Sequence, residues 1–185
     1  MAMFVNDGGM LKCRYQGENL WLIPWGENAL RVVARYMGEP ELPGWALLEP
    51  AASKAEIAIC GEEATVTVGR LKAVVRHCPD RPDRLTVSYY NQRGELLLAE
   101  RAGTDALKIK PRQFLPLPGG ECKLVVEFEA DESEKLYGMG QYQQEVLNCK
   151  GSFFELAQRN SQASVPFVLS NKGYGFLWHN PAIGR

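Results

Sequence analysis

Gln158-Arg159-Asn160-Ser161-Gln162 sets five polar side chains in a row, with no apolar residue among them to anchor the segment in a core. The segment is rich in amide and guanidinium donors. Such a loop either hangs in water or grips something polar. Other chemistries find fewer of their parts in the chain. Two carboxylates held roughly 5 to 9.5 Å apart suffice for glycosidic hydrolysis, and Glu145 and Glu155 flank one turn signal, Asn148-Cys149-Lys150-Gly151. Their apolar neighbours assign them to sheet positions where a carboxylate faces water. The sequence has two histidines, His77 and His179, and no G-x-S-x-G, which leaves a serine triad without its parts. His77 adjoins Cys78-Pro79 in what reads as a loop, a surface histidine beside a half-buried thiol. A Cys–His catalytic pair needs separation in sequence and convergence in space. Gly138-Met139-Gly140 lacks the third glycine, the lysine and the following helix of a phosphate loop. The histidines are far apart and no dense carboxylate cluster accompanies them, so no metal and no cofactor are expected.

Short strands must position these residues. Leu30, Val32, Ala34 and Tyr36 alternate with Arg31 and Arg35, a period of two with a β-branched pair at its centre, so residues 28–37 are predicted as a strand. Ala64-Thr65-Val66-Thr67-Val68 and Leu71-Lys72-Ala73-Val74-Val75 flank Gly69-Arg70 as a tight hairpin or one kinked strand. The clearest hairpin pairs residues 85–90 with 95–100 across Asn91-Gln92-Arg93-Gly94. Two more are predicted near the C-terminus, across Asn148-Cys149-Lys150-Gly151 and across Asn171-Lys172-Gly173. Residues 77–83 contain two prolines and break the pattern, and Phe114 to Gly120 is too proline-rich for a central strand. Residues 38–50 are a loop with room for one helical turn at Trp45-Ala46-Leu47-Leu48. About ten to fourteen short strands with little helix describe an all-β chain, an antiparallel β-sandwich.

The 185 residues suit a single domain over residues 1–185, since domains usually run roughly 50 to 250 residues. Lys and Arg number 21 against 22 Asp and Glu, a net charge of −1, so neither a nucleic-acid backbone nor an anionic membrane is an expected partner. No apolar run approaches the roughly 20 residues of a membrane span, and the first residues lack a signal pattern. Five cysteines without CxxC spacing suggest reduced thiols. A cytoplasmic location is expected.

Leu136-Tyr137-Gly138-Met139-Gly140-Gln141 resembles the Y-G-(L/M/F)-G-(E/Q) motif of the N-terminal domain of family 31 glycoside hydrolases, the α-glucosidase and α-xylosidase group. The family's V-P-F-x-L-S strand and G-Y-G-x-x-x-x-N follow in order, as Val165-Pro166-Phe167-Val168-Leu169-Ser170 and residues 173–180. Upstream, Ala29-Leu30-Arg31-Val32 resembles its A-L-R-V strand, and residues 94–100 its G-x-x-L-L-x-E. Gln141 stands where many members have Glu, and Trp178-His179-Asn180 where many carry an acidic residue before the Asn. Both departures bear on substrate specificity.

The resemblance implies a galactose mutarotase-like supersandwich packed on a (β/α)8 barrel that supplies the catalytic aspartates and begins after residue 185. Residues 1–185 would then hold no catalytic residue and be inactive alone. The carbohydrate partner, an α-glucoside or α-xyloside, would be met through the full-length enzyme. The family's domain also sends a loop to the barrel mouth. By position that loop is residues 158–164, with Arg159, Asn160 and Gln162 as candidate sugar contacts and Gln141 and Tyr142 as supports. Bracing of the loop itself, or of the barrel, is the structural alternative for each. Rival readings are a free-standing carbohydrate-binding module and a mutarotase-like enzyme, which would need a catalytic glutamate with a histidine partner. An apolar face made for an absent barrel would promote self-association, giving a homo-oligomer.

Overall fold

The computed structural model describes residues 3–44, 46–50, 53–78, 81–103, 110–180 and 182–185, with the backbone alone at 78 and 81–84. Fourteen strands and no helix occur among the described residues, which form two compact units, Met1–Glu129 and Ala130–Arg185.

In the first unit, β1 (Phe4–Asp7), β2 (Met10–Tyr15), β3 (Glu18–Pro24) and β4 (Leu30–Tyr36) make an antiparallel meander. A second meander contains β5 (Glu56–Cys60), β6 (Glu63–Val68), β7 (Leu71–Cys78), β8 (Arg81–Asn91) and β9 (Leu96–Ala99). Successive side chains of a strand point to opposite faces, so alternate residues of each sheet can meet a facing sheet. Leu11, Cys13, Leu20 and Leu22 from the first sheet are fully buried with Ala64, Val66, Ala73, Val75 and Val87 from the second. This shared core makes the unit a sandwich. Each buried Leu or Val contributes about 1.5–3 kcal/mol, and a one-residue slip of any strand would turn that set outward. A two-stranded sheet, β10 (Arg112–Pro116) with β11 (Cys122–Val126), completes the unit.

A polar cluster is buried in the first unit. The Arg112 guanidinium contacts the carboxylates of Glu18 and Glu100 and donates to the Leu85 carbonyl at 2.8 Å. Glu100 also accepts from the Val87 amide at 2.8 Å. One side chain thus ties together β3, β8, β10 and the residue after β9.

The predicted strand at 28–37 is β4, the Gly69-Arg70 break is the β6–β7 hairpin, and the turn at 91–94 joins β8 to β9. The proline-rich run contributes to β10, which among the described residues pairs with β11 alone, so it needs no second ladder. Three expectations are corrected. The break at 77–83 is shorter, since His77 and Cys78 belong to β7 and residues 81–83 to β8, while Pro79 and Asp80 lie outside the described residues. His77 is not a surface residue: it is 8% exposed, its Nδ1 meets the Glu62 carboxylate, and its ring lies 4.6 Å from that of Tyr15. Residues 46–48 form no helical turn, the Leu47 amide donating to Gly44 at 2.5 Å instead, and Trp45 lies outside the described residues.

The core packing has a chemical consequence at Cys13. Burial pushes its thiol up to about 12, with the Arg112 charge offsetting part of that shift. A thiol reagent at pH 8 is expected to modify the exposed Cys60 and Cys122 in the native protein and to reach Cys13 only after denaturation, because the thiolate is the reactive form. Peptide mapping of the labelled sites checks this, and native labelling of Cys13 would show that β2 is not packed as described.

In the second unit β12 (Leu136–Gln141), β13 (Ala163–Ser170) and β14 (Gly175–Leu177) form one antiparallel sheet in that order. β13 and β14 are the predicted hairpin across 171–173. The hairpin predicted across 148–151 is absent: β12 pairs directly with β13, and residues 142–162 connect them without a strand. Gly138, Met139 and Gly140 all have positive φ (118°, 74° and 94°), and the β12–β13 register shifts between the two glycines. Positive φ at a residue with a side chain, as at Met139, is strained backbone. A Cβ on Gly138 would stand 2.6 Å from the Phe167 carbonyl oxygen. At Gly140 it would meet the Val165 nitrogen at 2.8 Å and overlap the Ala163 carbonyl oxygen. The Y-G-M-G motif is therefore a bulge in which the strand backbones approach too closely for side chains.

Candidate functional site

Residues 158–164 enter β13 at its first residue, and their shape is set by side chains of the second unit. Gln158 closes the segment with its amide, Nε2 donating to the Ser164 carbonyl at 2.8 Å and Oε1 accepting from the Ser164 amide at 3.1 Å. Inside that clamp, Arg159 and Gln162 form an isolated antiparallel bridge, the Gln162 amide donating to the Arg159 carbonyl at 3.2 Å. Ser161 turns the chain with φ of 66°. Asn160 and Ser161 are thereby held at an exposed tip. The loop is a small closed turn with its conformational entropy already largely spent, the preorganisation that favours a binding segment.

The predicted supports lie at its base. Gln141 stands opposite Ala163 in the β12–β13 register, so the bulge delivers the last residue of the motif to the foot of the loop. Tyr142 donates its hydroxyl to the Glu155 carbonyl at 3.0 Å and shares a hydrogen bond with the Ser164 hydroxyl at 2.7 Å. Its ring meets Phe154 edge-on at 4.9 Å between centroids. Tyr142 thus fixes the same residue that Gln158 grips.

Arg159 meets the Glu155 carboxylate, and both side chains are well exposed. An exposed ion pair contributes little, so either partner can exchange it for a ligand at small cost. Among the described residues the side-chain amides of Gln141, Asn160 and Gln162 carry no hydrogen bond; Gln141 and Asn160 are exposed and Gln162 is half-buried. Glu145 is exposed and Glu155 is engaged by Arg159. With no strand on either side of 148–151, the two carboxylates do not occupy the sheet positions expected of them, and no hairpin sets them opposite each other.

Two sets of supporting residues are not apparent from the sequence. Glu134, 7% exposed, accepts from the Ser170 hydroxyl at 2.5 Å and the Tyr174 hydroxyl at 2.7 Å. Burial and the Glu134 charge push the Tyr174 hydroxyl pKa up, so it remains a donor at any ordinary pH. Asp131, held well below the usual carboxylate range by Lys172 and Ser133, adds an ion pair to Lys172 at 2.8 Å. Together they pin the start of β12 to the β13–β14 turn. The signal for them is present in Ser170 and Tyr174, polar residues flanking a glycine turn inside an otherwise apolar stretch. Gln158 is the other case: the sequence shows it as one polar residue among five, and only the fold shows that its amide closes the loop.

Comparison with known proteins agrees with this architecture. Residues 24–184 match the glycosyl hydrolase 31 N-terminal galactose mutarotase-like domain. An uncharacterized family 31 glucosidase of Pseudescherichia vulneris is 44% identical over the whole of this chain, which covers 37% of that protein. Alpha-xylosidase A of Aspergillus niger is 35% identical over 55% of the chain and 14% of its own length. A GH31 alpha-xylosidase from a soil metagenome, solved with xylose, superposes with a TM-score of 0.87 at 40% identity, over 99% of this chain and 29% of that one. The chain therefore spans well under half the length of each of these relatives. The bulged Y-G-M-G strand, the V-P-F-V-L-S strand after the polar loop and the extent of the match all lead to one assignment: this chain belongs to the glycosyl hydrolase 31 N-terminal galactose mutarotase-like domain family.

Proposed function

We propose that this chain works as the N-terminal, non-catalytic domain of a retaining α-glycosidase that releases terminal α-linked glucose or xylose. It packs on a catalytic (β/α)8 barrel and lends the loop at 158–164 to the substrate subsites. The observation that carries this reading is the loop itself, a turn closed by Gln158 on Ser164, with Tyr142 holding the same residue, and with the unpaired Asn160 amide at its exposed tip. Amides and an exchangeable guanidinium are donors matched to sugar hydroxyls. The relatives, a glucosidase and a xylosidase, supply the substrate class.

The test joins residues 1–185 to the polypeptide that follows the matched region in the Pseudescherichia vulneris relative. The fusion is expected to hydrolyse an aryl α-glucoside or α-xyloside. Arg159→Ala and Asn160→Ala should each lower its kcat/KM for a disaccharide by about tenfold, the equivalent of about 1.4 kcal/mol from one lost hydrogen bond. Unchanged kinetics in both variants would remove the loop from the site. Micromolar affinity of the 185-residue chain for an oligosaccharide, measured by calorimetry, would instead support a free-standing carbohydrate-binding module.

A further inference from the structure

Between Leu156 and Asn171 the chain carries one charged side chain, Arg159, and the residue that meets it is Glu155. The two charges cancel at the stem of the loop. Glu155 is not free to drift from this place, because its carbonyl accepts from the Tyr142 hydroxyl at 3.0 Å and from the Ala157 amide at 3.0 Å. The next residue is tied as well. Leu156 forms an isolated antiparallel bridge with Gly184, its amide donating to the Gly184 carbonyl at 2.8 Å and its carbonyl accepting from the Gly184 amide at 3.4 Å. The carboxylate therefore stands on backbone held from two sides, and among the described residues it engages Arg159 through Nη2 alone. A guanidinium has five N–H donors, so Nε and Nη1 remain for a ligand. Their charge is already answered. An exposed pair of this kind adds little to stability, yet a third charge nearby feels both members, and their fields oppose each other.

Resting on the functional reading above, we propose that Glu155 is the charge-selecting residue of the loop: it cancels the Arg159 guanidinium, so that the loop takes an uncharged sugar and discriminates against a uronic acid. Arg159 meets the sugar, and Glu155 acts through it as a positioning residue. A hydroxyl oxygen accepts from the remaining donors and brings no charge, so it binds beside Glu155 without repulsion. A uronate carboxylate that reached the same donors would stand next to a second carboxylate. Specificity of this sort rests on a repulsive element as much as on an attractive one. The guanidinium of Arg185 lies over the Phe153 ring at 5.9 Å, two residues before Glu155, and makes no ion pair with it. That leaves the carboxylate to Arg159.

The fusion described above tests this with two disaccharides that differ only in the second sugar, glucose in one and glucuronic acid in the other. Glu155→Gln is expected to raise the uronate-to-neutral ratio of kcat/KM by about fivefold at low salt, mostly through KM, the effect of removing one charge at roughly 4 Å in water. The gain should fade in about 1 M salt, where screening reaches only roughly 3 Å. Glu155→Asp keeps the charge and should keep the native preference; a ratio like that of Glu155→Gln overturns the proposal, because shape and not charge would then be at work. An unaltered ratio in Glu155→Gln, in a fusion whose kcat/KM is lowered by Arg159→Ala, also overturns it and leaves the functional reading standing. A readout without activity uses the 185-residue chain alone. On titration with glucuronate at neutral pH, the Arg159 Nε–Hε NMR signal should shift in Glu155→Gln and stay nearly fixed in the native chain. Equal shifts in both overturn the proposal whether or not the fusion hydrolyses anything. A fusion that hydrolyses neither disaccharide counts against the functional reading, and the titration then decides the role of Glu155.

Discussion

Arg112→Met is expected to destabilise the first unit by about 3–5 kcal/mol, read as a lower denaturation midpoint, because removing one member of a buried charge cluster leaves the others uncompensated. The side chain of Arg112 is 3% exposed and that of Glu100 4%, so neither can turn to water when its partner is lost. The two carboxylates keep the guanidinium charged despite its burial. Glu100 is held above the ordinary carboxylate range by burial, with Arg112 and the Val87 amide pulling it back. In the variant the larger of those two restraints is gone, and Glu100 moves further up. The folded state then keeps a proton that the unfolded chain gives away above roughly pH 4.3, and stability declines as pH rises from there. The loss caused by Arg112→Met should therefore be greatest at neutral pH and shrink as pH falls toward the ordinary carboxylate range, where a protonated Glu100 needs no cation. A loss that stays the same from pH 5 to pH 8 would mean that packing of the arginine stem, not its charge, holds the cluster. Combining Arg112→Met with Glu100→Gln should cost less than the sum of the single changes, since the double variant leaves no unpaired charge between these two residues.

That cluster also shows what the sequence could not reveal. Period-two alternation is a local property, so β4, the β6–β7 hairpin and the β8–β9 hairpin are legible residue by residue. Arg112 and Glu18 are separated by 94 positions, and nothing near either of them signals the other. Turn chemistry misleads for a related reason at 148–151. The turn exists, but Asn148 Oδ1 accepts from the Leu136 amide at 3.0 Å and the Cys149 amide donates to the Leu136 carbonyl at 2.7 Å. It folds back on the first residue of β12 instead of pairing its own flanks, because β12 finds a longer ladder in β13. His77 is disguised by its proline neighbour: Pro79 ends a local pattern, yet the ladder between β7 and β8 runs past His77 with a bulge. Of the candidate site, the polar composition is legible and the bracing is not. An amide that closes a loop looks the same in sequence as one that faces water.

The second large effect is expected at Gly140, where alanine should cost about 2–4 kcal/mol through positive φ together with steric overlap. The neighbours of the added methyl are the Ala163 carbonyl and the Val165 nitrogen, both backbone, and no side-chain rotation can make room. Relief requires β12 to move away from β13. Hydrogen exchange should therefore show loss of protection along the β12–β13 ladder, while the amides of β6 and β7 in the first unit keep theirs. Protection unchanged in both units would mean that the bulge accommodates a side chain, and that close backbone approach is not what the Y-G-M-G glycines serve. The functional consequence follows from register. Gln141 and Ala163 are paired directly after the bulge, and Ser164, held by both Gln158 and Tyr142, is opposite Gly140 itself. Displacing β12 pulls that residue away from one brace or the other. In the fusion, Gly140→Ala should thus reduce kcat/KM for a disaccharide at least as much as Arg159→Ala does, although residue 140 presents no group to a sugar. The strain at Met139 belongs to the same arrangement. A regular strand would pair with β13 without a bulge, and the shift in register is what sets Gln141 and Tyr142 against the foot of the loop.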